Sequence, residues 1–500
     1  MPLQKSVDLL VIGAGINGAG IARDAAGRGL TVLLCDQGDI GGATSSASTK
    51  LIHGGLRYLE QYEFRLVREA LREREVLLAL APHLIQPLRL ILPHDKAQRP
   101  AWMIRLGLFI YDHLGGRKRL PASHALDLNS HPGGRPLIPG YGKGFVYSDC
   151  RVDDSRLVIL NAKDASERGA EVLPRTQAVS ARRFQDHWLV DLESENAENS
   201  GTARARAVVN AGGPWANQVL YETLQIIPDH LVRLVKGSHI VVPAMFDHDD
   251  AYLFQNPDGR IVFAIPFEGN HTLIGTTEAD FQGDPATAEI TPEETSYLCE
   301  CSNRYFSRKI SPDDVIWSFA GVRPLFDDGA GDATSASRDY LLEFNGGADR
   351  APLLSVLGGK ITTYRSLAEE ALERLSAALG SDSRPWTSGT PLPGGDMEGA
   401  DFSTFLESTI IRFPWLPDDL RLRYAHAYGT RIESLLDGIN DMNGLGENFG
   451  GGLYSAEADY LIREEWAQTA DDILWRRSKL GLTAPPHTRD RLAQWLRSKA

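Results

Sequence analysis

The stretch from Val7 to Asp36 constrains this chain more than any other. An apolar run, Val7–Ile12, leads directly into Gly13-Ala14-Gly15-Ile16-Asn17-Gly18. A helical pattern follows to Arg28, and a second apolar run, Thr31–Cys35, ends at Asp36. Strand, glycine turn, helix, strand and acid come in the order of a dinucleotide-binding βαβ unit. Gly13 permits the tight turn, Gly15 lets the backbone approach a pyrophosphate, and Gly18 lets the helix pack close to the sheet. The helix N-terminus offers N–H groups and a positive dipole end to phosphate. Asp36 is placed to accept hydrogen bonds from a ribose diol.

Charge and cysteine content narrow the class of function. The formal net charge of −14 argues against general nucleic-acid binding, which relies on a basic face. A small anion is still allowed where cations converge locally. Arginine outnumbers lysine, so bidentate phosphate recognition is available. Cys35, Cys150, Cys299 and Cys301 do not make a disulfide framework in a chain of 500 residues. Cys299-Glu300-Cys301 has no second pair or clustered histidines near it, so it reads as helix-packing thiols and no metal is expected. The chain enters a strand almost at once, which leaves no room for a signal peptide. It has no run of about eighteen apolar residues. A cytoplasmic protein is expected, with peripheral membrane attachment open.

The pattern along the chain is α/β. A Rossmann-like dinucleotide-binding domain is expected from the separated segments 1–80, 150–235 and 320–380, with an inserted β-rich substrate domain from 81–149 and 236–319. A Gly-, Ser-, Asp- and Pro-rich linker at 381–395 leads to an all-helical C-terminal domain at 396–500. The spacing of Leu66, Ala70, Leu77 and Leu80 predicts a helix over Phe64–Leu80. Asp153-Asp154-Ser155 predicts the N-cap of a helix reaching about Arg168. Val208–Trp215 is predicted as a strand running into a glycine turn. Leu353–Leu357 is likewise predicted as a strand, leading into Gly358-Gly359-Lys360.

Just after the acid, Ala43–Tyr58 carries Thr44, Ser45, Ser46, Ser48 and Thr49, then Gly54-Gly55. Such a loop suits phosphate and isoalloxazine. This segment resembles the flavin-linked glycerol-3-phosphate dehydrogenases of the D-amino-acid-oxidase-like flavoprotein superfamily. Tyr62–Val67, Ala101–Arg105, Tyr147–Asp154, Lys236–Val241, Gly321–Leu325, Gly358–Tyr364 and Asp471–Arg477 agree in order along nearly the whole chain. The resemblance implies FAD, not NAD, with Gly13, Gly15, Ile16, Asn17, Gly18, Asp36, Thr44, Ser45, Ser46, Ser48, Gly212, Gly359 and Lys360 around it. One departure is visible: the family's Asn-Ala-Thr-Gly-Pro-Trp is Asn210-Ala211-Gly212-Gly213-Pro214-Trp215 here, which removes a hydroxyl and keeps the turn.

The resemblance further implies oxidation of sn-glycerol 3-phosphate to dihydroxyacetone phosphate by hydride transfer to FAD, with electrons passed to ubiquinone or menaquinone. It puts Arg57, Arg323, Arg338 and Lys360 at cationic substrate positions, able to hold a phosphate and stabilise an alkoxide. His53 and His239 are the base candidates, and nearby cations would favour their neutral forms. Arg323 joins them as a catalytic candidate, while Tyr58 and Thr363 are candidates to line the substrate pocket. The family also implies the inner face of the cytoplasmic membrane as a partner surface, and a homodimer. Trp102–Tyr111 and the helix after Lys360 each read as interfacial or as core. Trp475–Lys479 reads as a lipid contact, a dimer contact or a solvated helix face. A soluble oxidase using oxygen, an amine or amino-acid oxidase of the same superfamily, and a non-catalytic flavin-binding protein are the alternatives.

Overall fold

The computed structural model describes residues 3–95, 99–326, 339–380 and 384–499. The fingerprint lies in a mostly parallel sheet ordered Tyr340–Gly347, Arg350–Gly358, Gly201–Asn210, Leu3–Ile12, Val32–Cys35, Glu171–Leu173. All but the first run parallel, with Ile12 beside both Cys35 and Asn210, and Val208 beside Leu353. Both faces of these strands are covered, which is why they read as continuous apolar runs without alternation. Helices Ile16–Gly27, Asp154–Glu167 and Tyr364–Leu379 pack on one face. The antiparallel pair Thr176–Arg183 and Trp188–Ser194 helps close the apolar cluster on the other, with Trp188 fully buried.

Local signals held where they were strongest. Phe64–Leu80 is one helix over the expected span, and Asp153 accepts the Arg156 N–H as the cap of Asp154–Glu167. The helix after Lys360 is core: Tyr364, Leu367, Ala371 and Leu375 are buried against the sheet, and Arg365 pairs with Glu73 at 2.7 Å.

A second, mixed sheet draws ten strands from residues 51–152 and 232–326. Trp317–Phe326 pairs antiparallel with Val232–Pro243, matching Trp317 to Val241 and Phe326 to Val232. Residues 320–326, grouped on sequence with the nucleotide-binding segments, thus lie in this sheet, while 340–358 lie in the first. Helix Pro292–Tyr305, held by a reciprocal Thr291–Glu294 cap, buries Leu298, Cys299 and Cys301 against one face of the sheet. Across the sheet, His239, Gly275, Phe263 and Leu253 share a cross-strand row. Phe263 and Leu253 in that row line the large cavity described below.

The C-terminal domain is helical apart from a two-stranded ribbon, Asn448–Gly450 with Leu453–Tyr454. Gly450, Gly451 and Gly452 all take positive φ (118°, 63° and 78°), the conformation glycine alone adopts freely, and they make the turn. Phe449 and Leu453 anchor the ribbon in the domain core.

At the seam between this domain and the first, His83 is 1% exposed and neither ring nitrogen has a hydrogen-bond partner among the described residues. Its carbonyl lies 3.1 Å from Nδ1 of His426, on the helix Asp418–Tyr428. Burial, with Arg156 and His426 close by, pushes His83 down to about 3, and burial pushes His426 down to about 4. A base depressed in this way stabilises the fold above its unfolded pKa and withdraws that stability as the pH falls towards its folded pKa. Unfolding free energy is therefore expected to drop by about 2 kcal/mol per histidine between pH 7 and pH 5. Thermal unfolding across that range checks it; a His83→Gln variant with an unreduced slope would count against the assignment.

Candidate active site

The glycine turn is built as its sequence requires. Gly13 has φ +104°, and a methyl carbon there would lie 2.4 Å from the Ala211 carbonyl oxygen. At Gly18 it would lie 1.8 Å from the Gly13 carbonyl oxygen, whereas at Gly15 its nearest neighbour is Ser45 Oγ at 3.2 Å. Gly18→Ala is therefore expected to abolish flavin retention, read as the loss of the visible absorbance of the purified protein. Gly107→Ala, on an exposed helix with nothing within 4 Å, should leave it intact.

Asp36 accepts the Ala14 N–H at 2.6 Å and the Gly38 N–H at 2.8 Å. Its carboxylate thus braces the turn, and each oxygen keeps a further lone pair for a ligand hydroxyl. The hydroxyl loop is likewise tied into the protein: Ser45 Oγ accepts the Ile16 N–H at 3.0 Å, Thr44 donates to the Val322 carbonyl at 2.6 Å, Ser46 to the Ala43 carbonyl at 3.0 Å, and Ser48 to Asp154 at 2.8 Å. Gly212 presents backbone only, its N–H donating to Asn210 Oδ1.

These groups line one cavity of about 1690 Å³, larger than the roughly 300–1,000 Å³ of an ordinary small-ligand site. It runs from Asp36 and Gly38, past Gly13, Gly15 and Gly359, to Arg57, Arg323 and Lys360. Beside it, Asn17 donates through Nδ2 to the Gly358 carbonyl at 3.2 Å while its buried Oδ1 has no partner among the described residues. A long dinucleotide with phosphates at the glycine turn and hydrogen-bond donors at its ring end fits this cradle.

The far end carries the charge. Arg57 Nη1 lies 3.9 Å from Glu278 Oε2, and Arg323 Nη1 lies 3.8 Å from Glu278 Oε1. Arg323 Nη2 donates to Thr276 Oγ1 at 3.0 Å. Lys360 Nζ sits 3.8 Å from the Tyr58 ring centroid. His53 lines the same cavity, and its N–H donates to Thr362 Oγ1 at 3.2 Å. Burial, with help from Lys360 and Arg74 and against the pull of Asp149, lowers its pKa, so the neutral imidazole is favoured. Beneath it, Asp149 accepts from Tyr111 at 2.8 Å and Arg74 at 2.6 Å, and Tyr111 Oη accepts the Gly54 N–H at 2.8 Å, which fixes the His53-Gly54-Gly55 turn.

Three expectations are altered. His239 does not line the cavity: it is 1% exposed, its Nε2 lies 3.0 Å from Thr49 Oγ1, and its ring stacks on Phe319 at 4.8 Å. Burial and the neighbouring Arg323 and Lys50 hold it well below the ordinary histidine value. Of the two base candidates, His53 faces the cavity and His239 sits behind Thr49. Thr363 is buried, and Thr362 lines the cavity in its place. Trp475–Lys479 is not a solvated face. Arg477 is fully buried on Asp39 (2.9 Å), Arg476 pairs with Asp39 and Asp472, and Trp475 stacks on Trp317 at 4.6 Å. Trp475, Arg476 and Lys479 all reach the cavity wall, so the tail domain closes part of it. Arg338 lies outside the described residues.

The reading of the residues missed Thr276 and Glu278. Their only signal is a polar turn, Gly275-Thr276-Thr277-Glu278, at the end of the strand His271–Gly275.

The chain belongs to the FAD dependent oxidoreductases: residues 8–365 match that family, and residues 386–497 match the C-terminal domain of alpha-glycerophosphate oxidase. It is 53% identical to a glycerol-3-phosphate dehydrogenase of Pseudomonas aeruginosa over 499 residues, 100% of this chain and 96% of that protein. It is 50% identical to a D-erythritol 1-phosphate dehydrogenase of Brucella abortus over 497 residues, 99% of this chain and 98% of that one. A glycerol-3-phosphate dehydrogenase of Bacillus halodurans, solved in complex with FAD, superposes with a TM-score of 0.78 at 28% identity, over 99% of this chain and 91% of its own. FAD is the cofactor of the family and of this chain.

Proposed function

We propose that this protein oxidises sn-glycerol 3-phosphate to dihydroxyacetone phosphate and passes the electrons to a membrane quinone. The observation that carries the reading is the gathering of Arg57, Arg323 and Lys360 at the end of the cavity that also holds His53. When bound, FAD supplies the acceptor for the hydride of the carbinol carbon. The chain supplies the rest. The cations hold the phosphate by charge-assisted hydrogen bonds and favour alkoxide character at the reacting oxygen. His53, kept neutral by its burial, offers a lone pair for the hydroxyl proton. Leu253, Phe263 and Phe319 add apolar lining that limits water.

The relative named for D-erythritol 1-phosphate favours a second reading, a longer polyol phosphate with the same two handles. The bilayer surface has support in the chain itself. On helix Ala101–Leu114, Trp102 (66% exposed), Met103 (41%), Leu106 (50%) and Phe109 (52%) share one side, the pattern of a helix lying in a lipid interface. No helix among the described residues is long and apolar enough to cross a membrane. A homodimer on the cytoplasmic face completes the proposal.

Purified protein given sn-glycerol 3-phosphate and a soluble ubiquinone analogue should form one dihydroxyacetone phosphate per quinone reduced, with little peroxide. Peroxide formed at the same rate would return the oxidase reading. Product from D-erythritol 1-phosphate alone would change the substrate.

A further inference from the structure

Asp149 lies beneath the His53 turn at 2% exposure, on the strand Lys143–Val152. Leu51 pairs with Arg151 and Ile52 with Cys150, so the register brings Asp149 opposite His53 one step beyond the paired residues. Its carboxylate accepts from Tyr111 Oη at 2.8 and 2.9 Å, from Arg74 at 2.6 Å and from the Gly54 N–H at 3.3 Å. Tyr111, on the buried side of helix Ala101–Leu114, takes the same Gly54 N–H at 2.8 Å. Burial and the Asp149 carboxylate keep this phenol protonated, so it donates to Asp149 and accepts from Gly54. A methyl carbon at Gly54 would lie 2.7 Å from Tyr111 Oη and 2.3 Å from Leu71 Cδ2, so bare backbone is what lets the phenol reach the turn. A buried ion pair such as Arg74–Asp149 is a weak source of net stability. This one stands one residue away from a turn whose His53 side faces the cavity. Three charged groups bear on the imidazole among the described residues: Asp149, Arg74 from the helix Phe64–Leu80, and Lys360 from the turn after Arg350–Gly358. Asp149 is the negative one.

We propose that Asp149 is a positioning residue for the oxidation. Directly and through Tyr111 it anchors the Gly54 backbone, which aims the His53 ring into the cavity, and its negative charge offsets Arg74 and Lys360 around that ring. The proposal rests on the reading of His53 as the base that takes the hydroxyl proton.

The test uses the flavin-loaded protein and reads the limiting rate of anaerobic flavin reduction against pH, at saturating glycerol 3-phosphate. Asp149→Asn leaves the two cations unopposed, so the acid limb should move about one pH unit lower. Its plateau should fall by about tenfold or more, because the ring is no longer held in place. Tyr111→Phe keeps the charge and loses the link, so its plateau should fall severalfold with the limb and the KM unmoved. Titration of His53 by NMR of isotope-labelled histidine, assigned by its loss in His53→Gln, should show the same downward shift in Asp149→Asn without turnover. If Asp149→Asn does not hold flavin, Tyr111→Phe carries the measurement. A carboxylate with a purely structural role would lower flavin content and the unfolding midpoint, and leave the flavin-normalised rate and the acid limb in place. That result in Asp149→Asn, or a Tyr111→Phe plateau within about twofold of wild type, overturns the proposal. A His53→Gln protein whose flavin is reduced as fast as that of the wild type overturns the base reading instead.

Discussion

Replacing Arg323 by alanine should lower kcat/KM for glycerol 3-phosphate about a thousandfold while leaving the flavin bound. Truncating one member of a buried, hydrogen-bonded charge pair costs about 2–5 kcal/mol, and about 4 kcal/mol is a factor of a thousand. Arg323 meets the conditions for the upper part of that range. It sits within the strand Trp317–Phe326, opposite Val235, so its guanidinium is delivered by a rigid element. Thr276 fixes one nitrogen at 3.0 Å, and the side chain is 27% exposed, towards the cavity. Its contacts to Thr276 and Glu278 lie apart from the glycine turn and the hydroxyl loop, so cofactor content is the internal control. Arg323→Lys keeps the charge and loses the planar fork, and should recover only part of the loss. Steady-state kinetics with flavin-normalised enzyme read the effect; a loss below tenfold would remove Arg323 from the phosphate site.

The second large effect lies where the tail domain meets the nucleotide loop. Asp39 is 6% exposed and serves Arg476, Arg477 and, at 3.9 Å, Arg175. Arg477 has no exposed surface. Removing a carboxylate from such a cluster leaves buried positive charge uncompensated, at a cost of about 3–5 kcal/mol. Asp39 lines the cavity and its neighbours carry the ring of contacts around Asp36, so Asp39→Ala should release flavin in the same transition that loosens the C-terminal domain. Flavin fluorescence and far-ultraviolet circular dichroism followed together on heating would show one shared, lowered midpoint. Arg489→Ala, which breaks an exposed pair with Asp471, should leave both midpoints nearly where they are in the wild type. Comparable losses in the two variants would mean that the buried cluster does not couple the domains.

What could be read before the structure was local or periodic. The glycine turn, the helix Phe64–Leu80 and the cap at Asp153 each follow from a few neighbouring residues, and each is present. The second sheet was not legible in this way, because the register that sets Trp317 against Val241 joins segments far apart in sequence. The same limit separates the two histidines. His53 and His239 have similar neighbours, but the partner strand of His239 brings Phe319 over its ring, and the loop brings Thr49 to its Nε2. Glu278 gave no more than a polar turn to go on, and an acid after a strand usually faces solvent. The Trp475–Lys479 segment misled because its charges have their partners at Asp39 and Asp153, hundreds of residues earlier.

The most direct measurement is anaerobic stopped-flow mixing of the flavin-loaded protein with glycerol 3-phosphate, protonated or deuterated at C2, monitored near ~450 nm. The expected result is rapid, saturable bleaching that slows severalfold with deuterium, because the C2–H bond is the one that breaks. Flavin that stays oxidised with glycerol 3-phosphate and with D-erythritol 1-phosphate, yet bleaches with an amino acid or an amine, would contradict the account at its centre.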